Sequence, residues 1–85
     1  MRRNKNMPER WATYERTTFG GVSKNPAWEV EIHDDDGPIE RQTISYDVDL
    51  RPVLQLLLGL GLWVRQKEQG EVLKPLDRYD WEKPS

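Results

Sequence analysis

The residues that could carry chemistry gather between positions 29 and 49. Asp34-Asp35-Asp36-Gly37-Pro38-Ile39 has part of the spacing of a calcium-binding loop. Asp34 and Asp36 stand at ligand positions, Gly37 at the sharp turn and Ile39 at the core position. The first ligand position is Ile32, however, and the position of the bidentate acid is Thr43. Two key oxygens are missing, and the run reads as an acidic turn. His33 is the only histidine. A catalytic triad or a metal site needs further groups converging on it. It reads instead as a solvated strand-face residue opposite Arg41, with Asp34, Asp35 and Asp36 favouring its charged form. Glu29 and Glu31 lie two apart, on one face of a strand. Paired acids across a cleft hydrolyse glycosides, but a small domain with an exposed sheet has little room for such a cleft. Gly59-Leu60-Gly61 lacks the helix that must follow the glycines of a phosphate site. There is no cysteine, hence no disulfide, thiolate metal site or cysteine nucleophile. No catalytic, cofactor or metal site is expected.

Charge is the stronger signal. The net charge is only −2, but residues 29–49 hold eight acids against Arg41 alone. The acids of interest are Glu29, Glu31, Asp34, Asp35, Asp36, Asp47 and Asp49. Residues 1–9 are basic through Arg2, Arg3 and Lys5 and cannot pack a core, so a mobile arm is expected there. A local field of one sign speaks about partners rather than about fold.

These groups must be positioned by a small scaffold. With 85 residues there is room for one domain, placed at 10–76 between the arm and a polar, aromatic-containing tail at 77–85. Trp11, Thr13, Glu15 and Thr17 alternate with Ala12, Tyr14, Arg16 and Thr18, which suits a strand. Trp28 to His33 alternates strictly, with Trp28, Val30 and Ile32 on one face and Glu29, Glu31 and His33 on the other. Ile44, Tyr46 and Val48 give the returning strand its apolar face. A loop at Asp36-Gly37-Pro38 would set Val30 opposite Ile44 and Trp28 opposite Tyr46, hiding the apolar residues and turning the carboxylates outward.

Asp49 is a suitable N-cap, Pro52 fits the first turn, and Leu50 to Leu58 reads as a short helix with Gly59 as its left-handed terminator. Beyond Gly61, Leu62 to Lys67 reads as a strand, and Glu71 to Lys74 as a returning strand stopped by Pro75. Helix rather than strand over 60–67 would place two glycines inside a helix at about 1 kcal/mol each. The expected fold is therefore α+β. A small antiparallel sheet of four to five strands packs against one short apolar helix, in the order β-ββ-α-ββ.

Two apolar features point to contacts beyond the chain. The helix has only Gln55 polar in its middle, so Leu54, Leu57 and Leu58 are candidates for a homodimer or partner surface. Trp28 and Trp63 fit strand cores. Trp11, Tyr79 and Trp81 lie near the ends and are candidate anchors, because tryptophan is enriched at binding hot spots. Trp81 and Tyr79 could instead fold back on the body.

The expected function is a non-enzymatic protein-binding module. Its acidic hairpin face would dock on a basic partner protein, which could itself bind nucleic acid, and act there as an inhibitor, an adaptor or a nucleic-acid mimic. Small, cysteine-free, strongly charged domains of this sort resemble the accessory inhibitors and adaptors of phages and mobile elements, a likeness of size and charge alone. Two alternatives are a self-associating assembly protein using the helix, and a nucleic-acid accessory using the basic arm. Direct nucleic-acid binding by the body is disfavoured by its negative charge. The longest apolar run, Val53 to Val64, is too short to span a bilayer and holds Gln55 and two glycines. A cytoplasmic, non-membrane protein is expected.

Overall fold

The computed structural model describes residues 8–20, 24–68, 70–75 and 80–84. The basic residues Arg2, Arg3 and Lys5, and Tyr79, lie outside them. The described chain is an α+β domain with strands β1 (Trp11–Phe19), β2 (Asn25–Asp34), β3 (Gly37–Ser45) and β4 (Trp63–Gln66), and helix α1 (Arg51–Gly59) between β3 and β4. The sheet runs in the order β3-β2-β1-β4.

The sheet is mixed rather than antiparallel throughout. β1 and β2, and β2 and β3, pair antiparallel, while β4 pairs parallel with β1, Ala12 opposite Val64. The cause is α1. It carries the chain from β3 at one edge to β4 at the other, and a crossover of this length suits strands that point the same way. The expected returning strand at Glu71–Lys74 does not form. That segment lies against the sheet instead, with Leu73 buried and Val72 exposed. One buried apolar side chain seats better over a face than along an edge. The outer side of β4 is taken by the tail, where Val64 and Glu82 exchange two main-chain hydrogen bonds of 2.9 Å. Lys83 lies over the Trp63 ring, 4.6 Å from its centroid. The tail thus folds back on the body, as its aromatic residue Trp81 suggested.

The β2–β3 hairpin forms as the alternation predicts, but in a different register. Its turn is Asp35-Asp36, with Asp34 opposite Gly37, and a bulge follows between Ile32 and His33. The Asp36 amide donates to Asp34 Oδ1 at 2.8 Å, which stabilises the turn, and Gly37 takes φ +124°. A two-residue turn alone would flip the faces, and the bulge restores them. Trp28 therefore sits opposite Ile44 rather than Tyr46, Val30 opposite Gln42, Arg41 opposite Glu31 and His33 opposite Pro38. The Trp28 and Tyr46 rings still stack, 5.2 Å between centroids.

One face of the sheet carries the main core. Ala12, Val30 and Val64 from the strands meet Leu57 and Leu62, with Ile32, Ile44, Val53, Leu54 and Leu58 packed around them. Asp49 stands one residue before the N-cap position, which Leu50 takes without a side-chain bond. Asp49 Oδ1 accepts from the Arg51 amide at 3.1 Å, an Asx turn leading into α1 in place of the expected cap. The helix ends one residue later than expected, at Gly59. Gly61, at φ +87°, is the left-handed terminator rather than Gly59. The Gly61 amide donates to Leu58 O and the Leu62 amide to Leu57 O, and the buried Leu57–Leu62 pair completes a Schellman end.

Candidate functional site

The second face of the sheet, away from α1, holds the polar residues. The alternation of β1 places Trp11, Thr13 and Glu15 there; β2 adds Glu29, Glu31 and His33; β3 adds Arg41; and Lys67 follows β4. Residues 70–74 lie over this face, so it is not the open row of carboxylates that alternation alone predicts. Glu31 is 5% exposed and Glu15 6%, while Glu29 is half-buried.

Two cations make this burial tolerable. Lys67 Nζ lies 3.3 Å from Glu15 Oε1 and 3.5 Å from Glu31 Oε1, and donates to the Glu71 carbonyl at 2.9 Å. Arg41 donates from Nη2 to Glu31 Oε2 at 3.0 Å, and its Nε stands 3.2 Å from Glu29 Oε1. Burial by itself would raise the Glu31 pKa. The Arg41 hydrogen bond and the charges of Lys67 and Arg41 outweigh it, and the carboxyl sits below its ordinary value. Glu15 Oε2 is buried without a hydrogen-bond partner.

The oxygens of Glu15, Glu29 and Glu31 lie within 4.8 Å of one another, a spacing a cation could bridge. The chain's own Lys67 ammonium and Arg41 guanidinium already take that role. His33 packs with its ring parallel to Trp11, centroids 6.2 Å apart, and its Nε2 is 3.2 Å from Thr13 Oγ1. Burial comes first in lowering its pKa. Lys67 and Arg41 add to this, against the opposing pull of Glu31 and Asp34. The expected preference for the charged form is thus reversed, because the imidazole is covered and two cations face it. Thr13 is sealed from solvent. An activated hydroxyl must reach its substrate, so the His33–Thr13 pair as it stands cannot present a nucleophile.

Beside these groups a pocket of about 460 Å³ opens between the sheet and residues 70–74. Seven carboxylates line it, from Glu15, Glu29, Glu31, Asp34, Asp35, Asp36 and Glu71, against the three cations Arg41, Lys67 and Lys74. Asp35 and Asp36 are exposed at its lip, and Asp47 and Asp49 are exposed beyond the far end of β3. The candidate acids therefore separate into three groups: a buried and neutralised inner set at Glu29 and Glu31, an exposed turn at its edge, and a more distant pair. Asp49 is held by Arg51, with an Nη2–Oδ2 distance of 2.9 Å, and Asp47 accepts from Ser45 Oγ.

The apolar candidates also divide. Trp11 is buried beside His33, so it anchors its own fold rather than standing free. Trp81 is half-buried in the folded-back tail. Leu57 is core, and Leu54 and Leu58 pack against that core. The large exposed side chains at the helix are Leu56 at 64% and Leu60 at 67%. Sequence reasoning missed Glu15 and Lys67 as members of the site. Their signal was present as strand parity, Glu15 two residues from Thr13 and Lys67 two from Arg65, but which face and which neighbour depend on the parallel pairing of β4.

No family model matches the chain, and no curated protein or solved structure shows significant similarity to it. Among the described residues no helix is long and apolar enough to cross a membrane. Fold and site define a small α+β domain with one buried, ion-paired charge cluster and an acidic rim.

Proposed function

We propose that this domain is a non-enzymatic, cytoplasmic protein-binding module that engages a basic surface of a partner protein, as an inhibitor or adaptor. The observation that supports this best is the pocket lip, where Asp35 and Asp36 stand exposed over a lining dominated by carboxylates. A concentrated field of one sign steers an oppositely charged partner and sets its orientation. The contact is carried by the turn Asp34–Asp36, with Asp47 and Asp49 extending it. Glu29 and Glu31 lie beneath, where Arg41 and Lys67 hold them in place, and would meet a partner lysine or arginine only by sharing it with those two cations.

The test is capture from a cell extract on immobilised wild-type protein and on the variant Asp35→Lys/Asp36→Lys/Asp47→Lys. These side chains are exposed, so the variant should keep its circular dichroism spectrum and melting temperature. A partner retained by wild type, released by salt and absent from the variant is expected. Equal retention on both proteins would reject the proposal.

A further inference from the structure

β3 forms one edge of the sheet, and among the described residues nothing pairs with its outer side. The opposite edge is closed by the Val64–Glu82 bridge. The Tyr46 amide donates inward to the Pro26 carbonyl at 3.3 Å. Hydrogen-bonded and non-bonded pairs alternate along an antiparallel ladder, so Arg41 and Thr43 turn their N–H and C=O groups away from β2. Both residues are exposed. Four main-chain groups therefore face water at mid-strand, as a template for another strand.

The flanks of this edge indicate what would fit. On the helix side, Val30, Ile32, Ile44, Val53 and Leu57 line a groove of about 200 Å³ that opens beside Glu40 and Gln42. Charge along the edge is negative. Asp35 and Asp36 are exposed at one end, Asp47 at the other and Glu40 between them, while Arg41 is committed to Glu29 and Glu31. A second copy of the chain is the poorer occupant, because pairing β3 with itself would bring two acidic hairpins together.

We infer that β3 is a docking strand, and that an extended basic segment of a partner protein adds to the sheet along Arg41–Thr43. Alternate apolar side chains of that segment lie over the helix-side groove beside Glu40 and Gln42, and its lysines or arginines, on the opposite face, reach toward the aspartates at the ends of the strand. Main-chain bonds would supply affinity and the alternate side chains specificity, as in other strand additions. This inference rests on the acidic docking proposed above and specifies its mode.

The test uses the full chain and a synthetic heptapeptide of alternating valine and lysine. Two controls are the same peptide with alternate backbone amides methylated, and one with glutamate for lysine. Calorimetry gives affinity, and hydrogen exchange followed by NMR gives the site. The valine–lysine peptide is expected to bind and to slow exchange at the Arg41 and Thr43 amides. Methylation should weaken binding about tenfold, the worth of one or two main-chain hydrogen bonds. Thr43→Pro, which removes an outward N–H without touching the ladder to β2, should have the same effect. If that variant fails to fold, the methylated peptide still decides. Equal binding by the methylated peptide would overturn strand addition while leaving acidic docking intact. Equal binding by the glutamate peptide, or none by the lysine peptide, would overturn both. Slowed exchange at these amides without peptide, rising with protein concentration, would assign the edge to a second copy and overturn the inference.

Discussion

Lys67 is the residue on which the second face depends. Its ammonium is nearly buried and stands between Glu15 and Glu31, of which only Glu31 is also held by Arg41 among the described ion pairs. A buried ion pair adds little net stability over an apolar replacement, but removal of one partner strands the other. Lys67→Met should therefore lower unfolding free energy by about 3 kcal/mol, read from the urea midpoint. A loss well under 1 kcal/mol would mean that Glu15 and Glu31 do not rely on it. The same cluster sets a pH dependence. His33 and Glu31 both have folded pKa values below their ordinary values of 6.5 and 4.5. For each, the unfolded chain binds its proton more tightly, so stability is full above the ordinary value and is lost as pH falls through the folded one. Melting temperature should thus begin to fall as pH drops below about 6.5 and fall again below about 4.5. His33→Gln should flatten the upper step and leave the lower one.

At the scale of elements, the two glycines around the end of α1 distinguish the observed helix terminus from the expected one. Gly59 is helical, and an added Cβ would meet nothing within 4 Å. Gly59→Ala should stabilise the domain by about 0.5–1 kcal/mol. Gly61 takes φ +87°, where a side chain is strained. Gly61→Ala should destabilise by about 1–2 kcal/mol, measured in the same denaturation series. Had Gly59 been the terminator, the signs would be exchanged. Helix, hairpin and first strand were legible because each rests on a local pattern: strict alternation in Trp28–His33, a proline in the first helical turn, apolar residues at helical spacing. Register was not, since it depends on whether the turn uses two residues or three and on a bulge that no side chain announces. Nor was the direction of β4, which follows from where the crossover delivers the chain. The acids of the site were visible as types. Their burial was not, because the covering segment 70–74, with Val72 and Leu73 between Glu71 and Lys74, reads as a returning strand at the sheet edge rather than as a cover over its second face.

Across the whole molecule, charge is divided by depth. The inner carboxylates are tied to Lys67 and Arg41, while Asp35, Asp36 and Asp47 stand in solvent around the pocket and the open β3 edge. Exposed charges act at a distance and are screened by salt, whereas the inner set is screened much less. An acidic docking surface should therefore reveal itself in association kinetics before it does in affinity. The most direct measurement is the association rate with the captured partner as a function of ionic strength, for wild type and for Asp35→Asn/Asp36→Asn. The rate should fall steeply with salt for wild type and much less steeply for the variant, with the two converging at high salt. A wild-type rate that does not change with ionic strength, or a variant with the same slope, would contradict the acidic docking surface.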